Sequence, residues 1–279
     1  MSVPSLTLPA GDRMPVVGCG TWNLDDETTR ASVRAALEAG YTHVDTAEGY
    51  HNEGAIGDVV AAYDREELFL TSKVLPSNLD YESVIEACEG SLDRLGTDYL
   101  DLYLIHWPNP AISLRETLDA MARLHDSGRV RNVGVSNFST YQLSVAHHVS
   151  DVPIAVNQIE FHPWLQRPDL VEYCRETDVA VQAAAPLART EVLDAEPVEA
   201  IARARDRSPA QVVLRWAVER DVVVLPKSSA PAHVRENIDL FDWELSASER
   251  RQLDDLDRGE PIYDTRVPEW SDDVYGISR

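Results

Sequence analysis

Apolar and polar positions along the chain form blocks that predict strands separated by helices. Short apolar or alternating runs predict eight strands, at residues 16–21, 42–46, 68–74, 100–106, 131–136, 155–160, 180–184 and 222–226. Helical spacing of apolar residues lies between these runs, and three of the helical segments end at Gly40, Gly96 and Gly128. Eight strands that alternate with helices over about 250 residues are typical of a (β/α)8 TIM barrel. The sequence therefore predicts an α/β fold, formed as one barrel domain over residues 1–279.

Local signals at the segment boundaries refine this prediction. Residues 5–8 and 14–17 flank a turn of sequence PAGD, which predicts an N-terminal β-hairpin ahead of the barrel. Helix caps are predicted by three pairs, which are Asn52 with Glu53, Ser113 with Glu116, and Ser246 with Glu249.

The composition is that of a globular protein without a membrane span. Hydrophobic residues make up 44% of the chain, and no apolar run approaches the roughly 20 residues that cross a bilayer. The N-terminal segment contains prolines and Asp12 and no continuous apolar core, so we expect no signal peptide and a cytoplasmic protein. Cys19, Cys88 and Cys174 are widely spaced, which predicts small buried side chains and no metal site.

The net charge and the number of lysines bear on the partners and the environment of the protein. A net charge of −23 repels phosphate, which argues against nucleic acid and anionic lipid as partners. Only two of the 25 basic residues are lysines, Lys73 and Lys227. An acidic, lysine-poor chain is typical of a halophilic cytoplasm, and a merely acidic mesophilic protein is the alternative. Lysines that persist in such a chain are expected where a compact charge with a tunable pKa is needed, which arginine does not supply.

Ionisable residues stand at the carboxyl ends of three consecutive predicted strands. These residues are Asp45, Lys73 and His106, and Tyr50 lies in the loop after the first strand. Each one alone is compatible with a structural role. In an α/β barrel, however, these strand ends face one mouth, where the active site is found. Four such groups in register therefore favour a catalytic site.

These residues and the motifs around them resemble the aldo-keto reductase superfamily. The matching motifs are Val44-Asp45-Thr46-Ala47 through Tyr50, Thr71-Ser72-Lys73-Val74, Ile105-His106-Trp107-Pro108, Gly134-Val135-Ser136-Asn137-Phe138, Asn157-Gln158-Ile159-Glu160 and Leu225-Pro226-Lys227-Ser228. The short loops look most like those of the compact microbial members, such as the diketogluconate reductases. The resemblance implies a barrel that binds NADP and reduces a small-molecule carbonyl substrate to an alcohol.

The resemblance also implies a catalytic tetrad of Asp45, Tyr50, Lys73 and His106. Tyr50 would give a proton to the carbonyl oxygen. The Lys73 ammonium would favour the ionised form of Tyr50 and so bring its pKa nearer the working pH, while Asp45 holds Lys73 in place. His106, neutral, would orient the substrate oxygen by a hydrogen bond.

The cofactor expectations rest on other strand ends. No GxGxxG follows a predicted strand, which excludes a Rossmann domain on pattern. Side chains that could hold the nicotinamide carboxamide, because they supply donors and acceptors, are Ser136, Asn137 and Gln158. Residues that resemble the phosphate and adenine sites of the family are Lys227, Ser228, Glu236 and Asn237.

Two positions depart from the family pattern. Ala184 stands where an aromatic residue often stacks on the nicotinamide, so another residue covers the ring or the cofactor binds loosely. His233 stands where many members place an arginine on the ribose phosphate, so NADP is expected with NAD also possible. Trp22 and Trp107 match positions in the substrate pocket, whereas Trp164 and Trp270 are either pocket walls or packing residues.

Two other functions remain open from the residues. One is a barrel lyase in which Lys73 forms a Schiff base with a carbonyl substrate. The other is a cofactor-binding sensor or subunit without turnover. We expect a monomer, and the sequence does not name the carbonyl substrate.

Overall fold

The computed structural model describes residues 3–263, which form a parallel barrel sheet preceded by an antiparallel hairpin. The hairpin consists of β1 (Ser5–Thr7) and β2 (Arg13–Pro15). Eight strands follow in chain order and are hydrogen-bonded to their sequence neighbours: β3 (Cys19–Gly20), β4 (His43–Asp45), β5 (Phe69–Val74), β6 (Leu100–Ile105), β7 (Val130–Ser136), β8 (Ile154–Glu160), β9 (Ala180–Ala184) and β10 (Val223–Val224).

The sheet closes between its first and last strands. A parallel bridge pairs Val17 with Val224. Around it, Val224 N donates to Val16 O at 2.9 Å and Gly20 N donates to Pro226 O at 3.1 Å. Eight parallel strands joined in this way form the predicted (β/α)8 fold, and the predicted N-terminal hairpin is also confirmed. That the whole chain forms one domain stays a prediction.

Among the described residues, eight helices lie between the barrel strands in sequence and two follow the last strand. They are α1 (Asp26–Glu38), α2 (Glu53–Val60), α3 (Tyr81–Leu95), α4 (Leu114–Asp126), α5 (Thr140–Val149), α6 (Pro168–Glu176), α7 (Glu196–Arg205), α8 (Pro209–Val218), α9 (Pro231–Asn237) and α10 (Ala247–Asp254). In α3, for example, the buried side chains recur at helical spacing: Val84, Cys88, Ser91, Leu92 and Leu95. This one-sided burial holds α3 against the barrel. Short 3-10 turns span Glu48–Tyr50, Arg65–Glu67, Pro76–Asn78 and Ala188–Asp194.

The first and last barrel strands are shorter than predicted. The runs 16–21 and 222–226 yield only two paired residues each, β3 and β10. A side chain at Gly18 would come within 2.8 Å of His43 Nδ1 and 2.7 Å of Leu225 Cδ2. Position 18 therefore has room only for glycine where the chain passes the buried His43 ring.

One of the three predicted helix caps is confirmed. Ser246 and Glu249 form the capping box of α10. Ser113 precedes α4 but makes no side-chain capping bond. Asn52 precedes α2, yet its amide group donates to the carbonyl oxygens of Thr21 at 2.8 Å and Leu24 at 3.2 Å. The side-chain oxygen of Asn52, which would accept the capping bond, accepts instead from Thr46 Oγ1 at 3.1 Å.

The barrel interior is filled from the hairpin side. Leu8 and Met14 are buried in one apolar cluster with Phe69 and Val223, which begin their strands. The hairpin thus packs near the amino ends of the strands and leaves the carboxyl ends open.

The buried cysteines and the helices bear on two further predictions. The three cysteines are buried, and burial raises the pKa of Cys19 to about 12 and of Cys174 to about 11, as expected for packed thiols. Among residues 3–263, no helix is long and apolar enough to cross a membrane. Within the same residues, no group of three or more His, Cys, Asp and Glu side chains could hold a metal ion.

Candidate active site

Four predicted side chains meet at the carboxyl end of the barrel. Asp45 is the last residue of β4, Lys73 is the next-to-last residue of β5, and His106 directly follows β6. Tyr50 ends the 3-10 turn Glu48–Tyr50 that follows β4. Because β4, β5 and β6 are neighbours in the sheet, their carboxyl ends bring these groups together.

The turn that carries Tyr50 is held by a carboxylate. Glu48 Oε1 accepts hydrogen bonds from Leu75 N at 2.5 Å and from Asn78 Nδ2 at 3.2 Å. These bonds join the turn after β4 to the segment after β5. The position of the Tyr50 ring is therefore fixed by two loops rather than one.

Lys73 is the centre of the arrangement. Its side chain is 0% exposed, and Nζ donates to Asp45 Oδ1 at 2.6 Å, to Thr46 O at 2.7 Å and to the Tyr50 hydroxyl oxygen at 3.4 Å. An ammonium group has three N–H donors, so all three are used. Burial lowers the pKa of Lys73, and the Asp45 carboxylate opposes that shift.

Asp45 is held on its other side by amides. Gln158 Nε2 donates to Asp45 Oδ2 at 2.8 Å and also to Gln182 Oε1 at 2.9 Å. Thr21 Oγ1 donates to the backbone oxygen of Asp45 at 2.9 Å. Gln158 of β8, held by Gln182 of β9, thus orients the carboxylate, and Thr21 after β3 holds the backbone of Asp45.

The Tyr50 hydroxyl lies between Lys73 and His106. Its oxygen accepts from Lys73 and is 3.5 Å from His106 Nε2, with the two rings edge to face. Burial, and secondly the charge of Asp45, raise the pKa of Tyr50 well above its ordinary value. This differs from the sequence-based prediction that Lys73 would lower that pKa. The ammonium charge is already paired with Asp45, and desolvation of the phenolate outweighs it.

His106 carries no charge in this environment. Burial, and secondly the Lys73 ammonium, hold the pKa of His106 well below its ordinary value. The imidazole is therefore neutral near pH 7, in line with the sequence-based expectation.

A cavity of about 460 Å³ opens in front of these groups. Its lining includes Asp45, Tyr50 and His106, together with the predicted pocket walls Trp22 and Trp107. The volume lies within the roughly 300–1,000 Å³ of small-molecule sites. Titratable side chains and aromatic walls are thus brought into one concave site.

Trp164, a further candidate wall, does not line this cavity. Trp164 packs against the main apolar core, with the Arg258 guanidinium 4.5 Å from its ring centroid. For Trp164, the sequence left open a pocket wall or a packing residue, and the structure supports the packing role. Trp270 lies outside the described residues.

The three predicted carboxamide-binding residues all line the cavity. Ser136 Oγ donates to the backbone oxygen of Gln158 at 2.8 Å, and Asn137 Nδ2 donates to Ser136 Oγ and to His106 O, each at 3.0 Å. Within the part of the chain that the structure describes, Asn137 Oδ1 and Gln158 Oε1 have no hydrogen-bond donor. These two amide oxygens remain available to a ligand N–H.

The predicted phosphate and adenine residues are only partly brought to the cavity. Lys227 is exposed and lines it. The lining described for this cavity does not include Ser228, His233, Glu236 or Asn237. His233 is exposed on α9, and Asn237 is buried at its end. These residues form a region next to Lys227 rather than part of the central cavity.

The lining residues that the sequence analysis missed include Arg189 and Tyr263. Both lie outside regular strands, and no spacing pattern marks them. Ala184 also lines the cavity without an aromatic ring of its own. The composition offered one signal for Arg189, since it is a cation just after a strand end in an acidic chain.

Comparisons with known proteins agree with this geometry. The sequence model of the Aldo/keto reductase family matches residues 16–258. An aldo-keto reductase of Mycobacterium avium (strain 104) is 42% identical over 261 residues, which cover 92% of this chain and 91% of the relative. The glyoxal reductase of Bacillus subtilis (strain 168) is 39% identical over 262 residues, covering 92% of this chain and 94% of the relative.

Solved structures show the same relationship. A Bombyx mori aldo-keto reductase in complex with NADP superposes with a TM-score of 0.90 at 30% sequence identity, covering 99% of this chain and 100% of that one. The family match spans most of the chain, and the relatives align over nearly their whole length. The chain therefore belongs to the aldo/keto reductase family of oxidoreductases.

Proposed function

We propose that the protein is an NADP-dependent reductase of small-molecule aldehydes or ketones, with Tyr50 as the proton donor. The observation that carries the proposal is the hydrogen bonding of Tyr50. Its oxygen accepts from Lys73 at 3.4 Å, so its own proton is directed away from the ammonium. His106 Nε2 is 3.5 Å from the Tyr50 oxygen, so the hydroxyl proton can point towards His106.

Tyr50 and His106 are suited to bind one carbonyl oxygen together. Two groups 3.5 Å apart can both approach a single oxygen within hydrogen-bonding distance. Neutral His106 donates to that oxygen in the tautomer that carries its proton on Nε2. The raised pKa of Tyr50 keeps its proton in place until the oxygen becomes basic.

Lys73 and Asp45 support the proton transfer. Loss of the proton from Tyr50 leaves a negative charge on the phenolic oxygen, which the ammonium 3.4 Å away stabilises. Asp45 keeps Lys73 in that position through the 2.6 Å ion pair. Both residues act on Tyr50 rather than on the substrate.

The residues at the end of β7 and β8 fit a nicotinamide. A primary carboxamide needs acceptors for its two N–H groups, and the oxygens of Asn137 and Gln158 are available in the cavity lining. Lys227 would meet the phosphate groups at the other side of the same cavity. When bound there, NADPH supplies the hydride that the carbonyl carbon accepts.

The test is NADPH consumption with a panel of aldehydes and ketones, including glyoxal, which the Bacillus subtilis relative is named for. Tyr50→Phe should lower kcat about 10²–10⁴-fold, because general acid catalysis is lost. Binding of NADPH, followed by fluorescence, should change little. Tyr103→Phe is the control, since Tyr103 is a buried tyrosine whose hydroxyl has no hydrogen-bond partner among the described residues and which is not part of the cavity lining.

Near-normal turnover by Tyr50→Phe would exclude Tyr50 as the donor. A wild-type protein that binds NADPH tightly and reduces no carbonyl would instead favour a cofactor-binding sensor.

A Schiff-base lyase is the second candidate, because burial lowers the pKa of Lys73 and so favours a free amine. The three hydrogen bonds of Nζ and its complete burial oppose attack on a carbonyl carbon. Borohydride in the presence of substrate would trap an adduct on Lys73 only in the lyase. We expect no adduct.

A further inference from the structure

A chain of buried amides runs from Asp45 towards the N-terminal hairpin. Gln158 Nε2 donates to Asp45 Oδ2 at 2.8 Å and to Gln182 Oε1 at 2.9 Å. Gln182 Nε2 in turn donates to Met14 Sδ at 3.0 Å. Gln158 and Gln182 are register partners on β8 and β9, so their side chains lie on the same face of the sheet. The chain of amides therefore connects the ion pair of the candidate site with the hairpin side of the barrel interior.

Gln182 is a polar residue in an apolar part of the interior. It is 0% exposed and does not line the cavity. Met14, to which it donates, and Val223, its register partner on β10, both belong to the apolar cluster that fills the barrel from the hairpin side. A buried amide is unfavourable unless its hydrogen bonds are made, whereas an apolar side chain would fill the same space without that requirement. The presence of an amide here is thus explained by its bond to Gln158.

The two hydrogen bonds of Gln158 fix the direction in which its amide points. An ionised carboxylate only accepts hydrogen bonds, so Asp45 requires the NH2 group of Gln158 on its side. That NH2 group has two N–H donors, and Gln182 Oε1 accepts the second one. If Gln182 presented its own NH2 group instead, two donors would face each other. The oxygen of Gln158 is therefore the polar atom left for the cavity, which Gln158 lines.

Asp45 alone would not hold the amide in this way. The terminal torsion of a glutamine is soft, so with one hydrogen bond the amide of Gln158 could rotate about its contact with Asp45. Its second N–H group would then lack an acceptor in the interior, which favours rotation of that group towards the cavity. Gln182 removes this alternative because it binds the second N–H group inside the barrel.

We propose that Gln182 is a positioning residue that holds the Gln158 amide with its oxygen towards the nicotinamide carboxamide of the cofactor. It acts through Gln158 and does not itself touch the cofactor. The inference rests on the proposed function, in which Asn137 and Gln158 accept from the carboxamide N–H groups. Loss of Gln182 should therefore weaken binding of the nicotinamide end of the cofactor and leave the adenosine phosphate end unaffected.

The test measures dissociation constants by calorimetry for NADPH and for adenosine 2′,5′-bisphosphate, which lacks the nicotinamide. Gln182→Met keeps the size of the side chain and removes the acceptor. Gln182→Glu keeps an acceptor oxygen in either protonation state. Asn132→Leu is the matched control, because Asn132 is a buried amide on β7 that does not line the cavity and donates to Asp12 Oδ2 at 2.9 Å and to Asp101 O at 3.0 Å.

Gln182→Met should raise the dissociation constant of NADPH roughly 3- to 10-fold, the range of one net hydrogen bond, and leave that of adenosine 2′,5′-bisphosphate unchanged. Gln182→Glu should recover part of the affinity for NADPH. Asn132→Leu should lower the midpoint of thermal unfolding without changing either dissociation constant, because a purely structural loss does not act on one end of the cofactor. If Gln182→Met does not fold, Gln182→Asn takes its place, since its shorter side chain keeps an amide but withdraws the acceptor from Gln158.

An unchanged NADPH dissociation constant in the Gln182 variant, or an equal loss for both ligands, would overturn the inference. Gln158→Met separates the inference from the proposed function, because removal of the amide itself should weaken NADPH binding at least as much as Gln182→Met does. If Gln158→Met binds NADPH as the wild-type protein does, the nicotinamide site of the proposed function is refuted and the inference with it. If Gln158→Met weakens NADPH binding and Gln182→Met does not, the inference alone is refuted.

Discussion

Lys73→Met tests the ion pair at the centre of the site without requiring any substrate. The substitution keeps an unbranched side chain of similar length, so packing is largely preserved. It removes the three hydrogen bonds that Nζ donates. Asp45, which is 4% exposed, then keeps only the hydrogen bond from Gln158 on its carboxylate.

The expected loss in the free energy of unfolding is about 3–5 kcal/mol, because a buried charge is left without its partner. A typical protein has only about 5–15 kcal/mol of stability in total. The loss should therefore be plain in a urea titration at pH 7 with constant salt. Lys227→Met is the matched control, since Lys227 is the other lysine, is exposed, and should change stability by less than about 0.5 kcal/mol.

A second substitution separates the charge from other effects of the mutation. Asp45→Asn in the Lys73→Met background replaces the unpaired carboxylate with a neutral amide, so most of the lost stability should return. Non-additivity of this kind is expected for residues in direct contact. If Lys73→Met stays within about 1 kcal/mol of the wild type, or if Asp45→Asn makes it worse, the pair is not the buried ion pair described above.

Three further outcomes are expected. Burial lowers the pKa of His43 to about 4, whereas the pKa of a histidine in the unfolded chain is about 6.5. The free energy of unfolding should therefore fall by roughly 3 kcal/mol as the pH drops from above 6.5 towards 4, because the unfolded state binds the proton more readily. Urea titrations should show a weaker acid dependence in His43→Gln, and an equal dependence would contradict the assignment. His233→Arg should raise the NADPH preference over NADH, because arginine offers a planar, permanently charged group that matches a phosphate; an unchanged ratio of the two catalytic efficiencies would show that position 233 does not contact the ribose phosphate. Raising salt from 0.1 to about 1 M should increase the free energy of unfolding, since 48 acidic residues against 25 basic ones repel each other and salt screens that repulsion. No increase would leave the chain as an ordinary acidic protein rather than a halophilic one.

The barrel and the meeting of the four groups could be predicted because both follow from periodicity. All eight predicted runs overlap a strand, and Asp45, Lys73 and His106 fall at or next to strand ends as expected. Strand ends in a parallel sheet must converge, so sequence position alone places these groups together.

Features that depend on loops or on backbone atoms could not be predicted in this way. The third acceptor of Lys73 is a carbonyl oxygen of Thr46, which no side-chain motif encodes. Arg189 and Tyr263 reach the cavity through irregular segments. Asn52 does not cap α2, because its side-chain oxygen accepts a hydrogen bond from Thr46 Oγ1. The pKa of Tyr50 was predicted in the wrong direction because a sequence shows the neighbouring charge but not the desolvation.

The distribution of the two lysines has a consequence for handling the protein. Lys73 is completely buried, whereas Lys227 is exposed at the edge of the cavity. In the folded protein, amine-reactive dyes, crosslinkers and activated resins will therefore find Lys227 as the one accessible lysine. Attachment through amines will block the proposed phosphate end of the cofactor site, so immobilisation or fluorescent labelling is better directed to carboxylates. By the same reasoning, protection of Lys227 from acetylation gives a direct measure of occupancy at that end of the cavity.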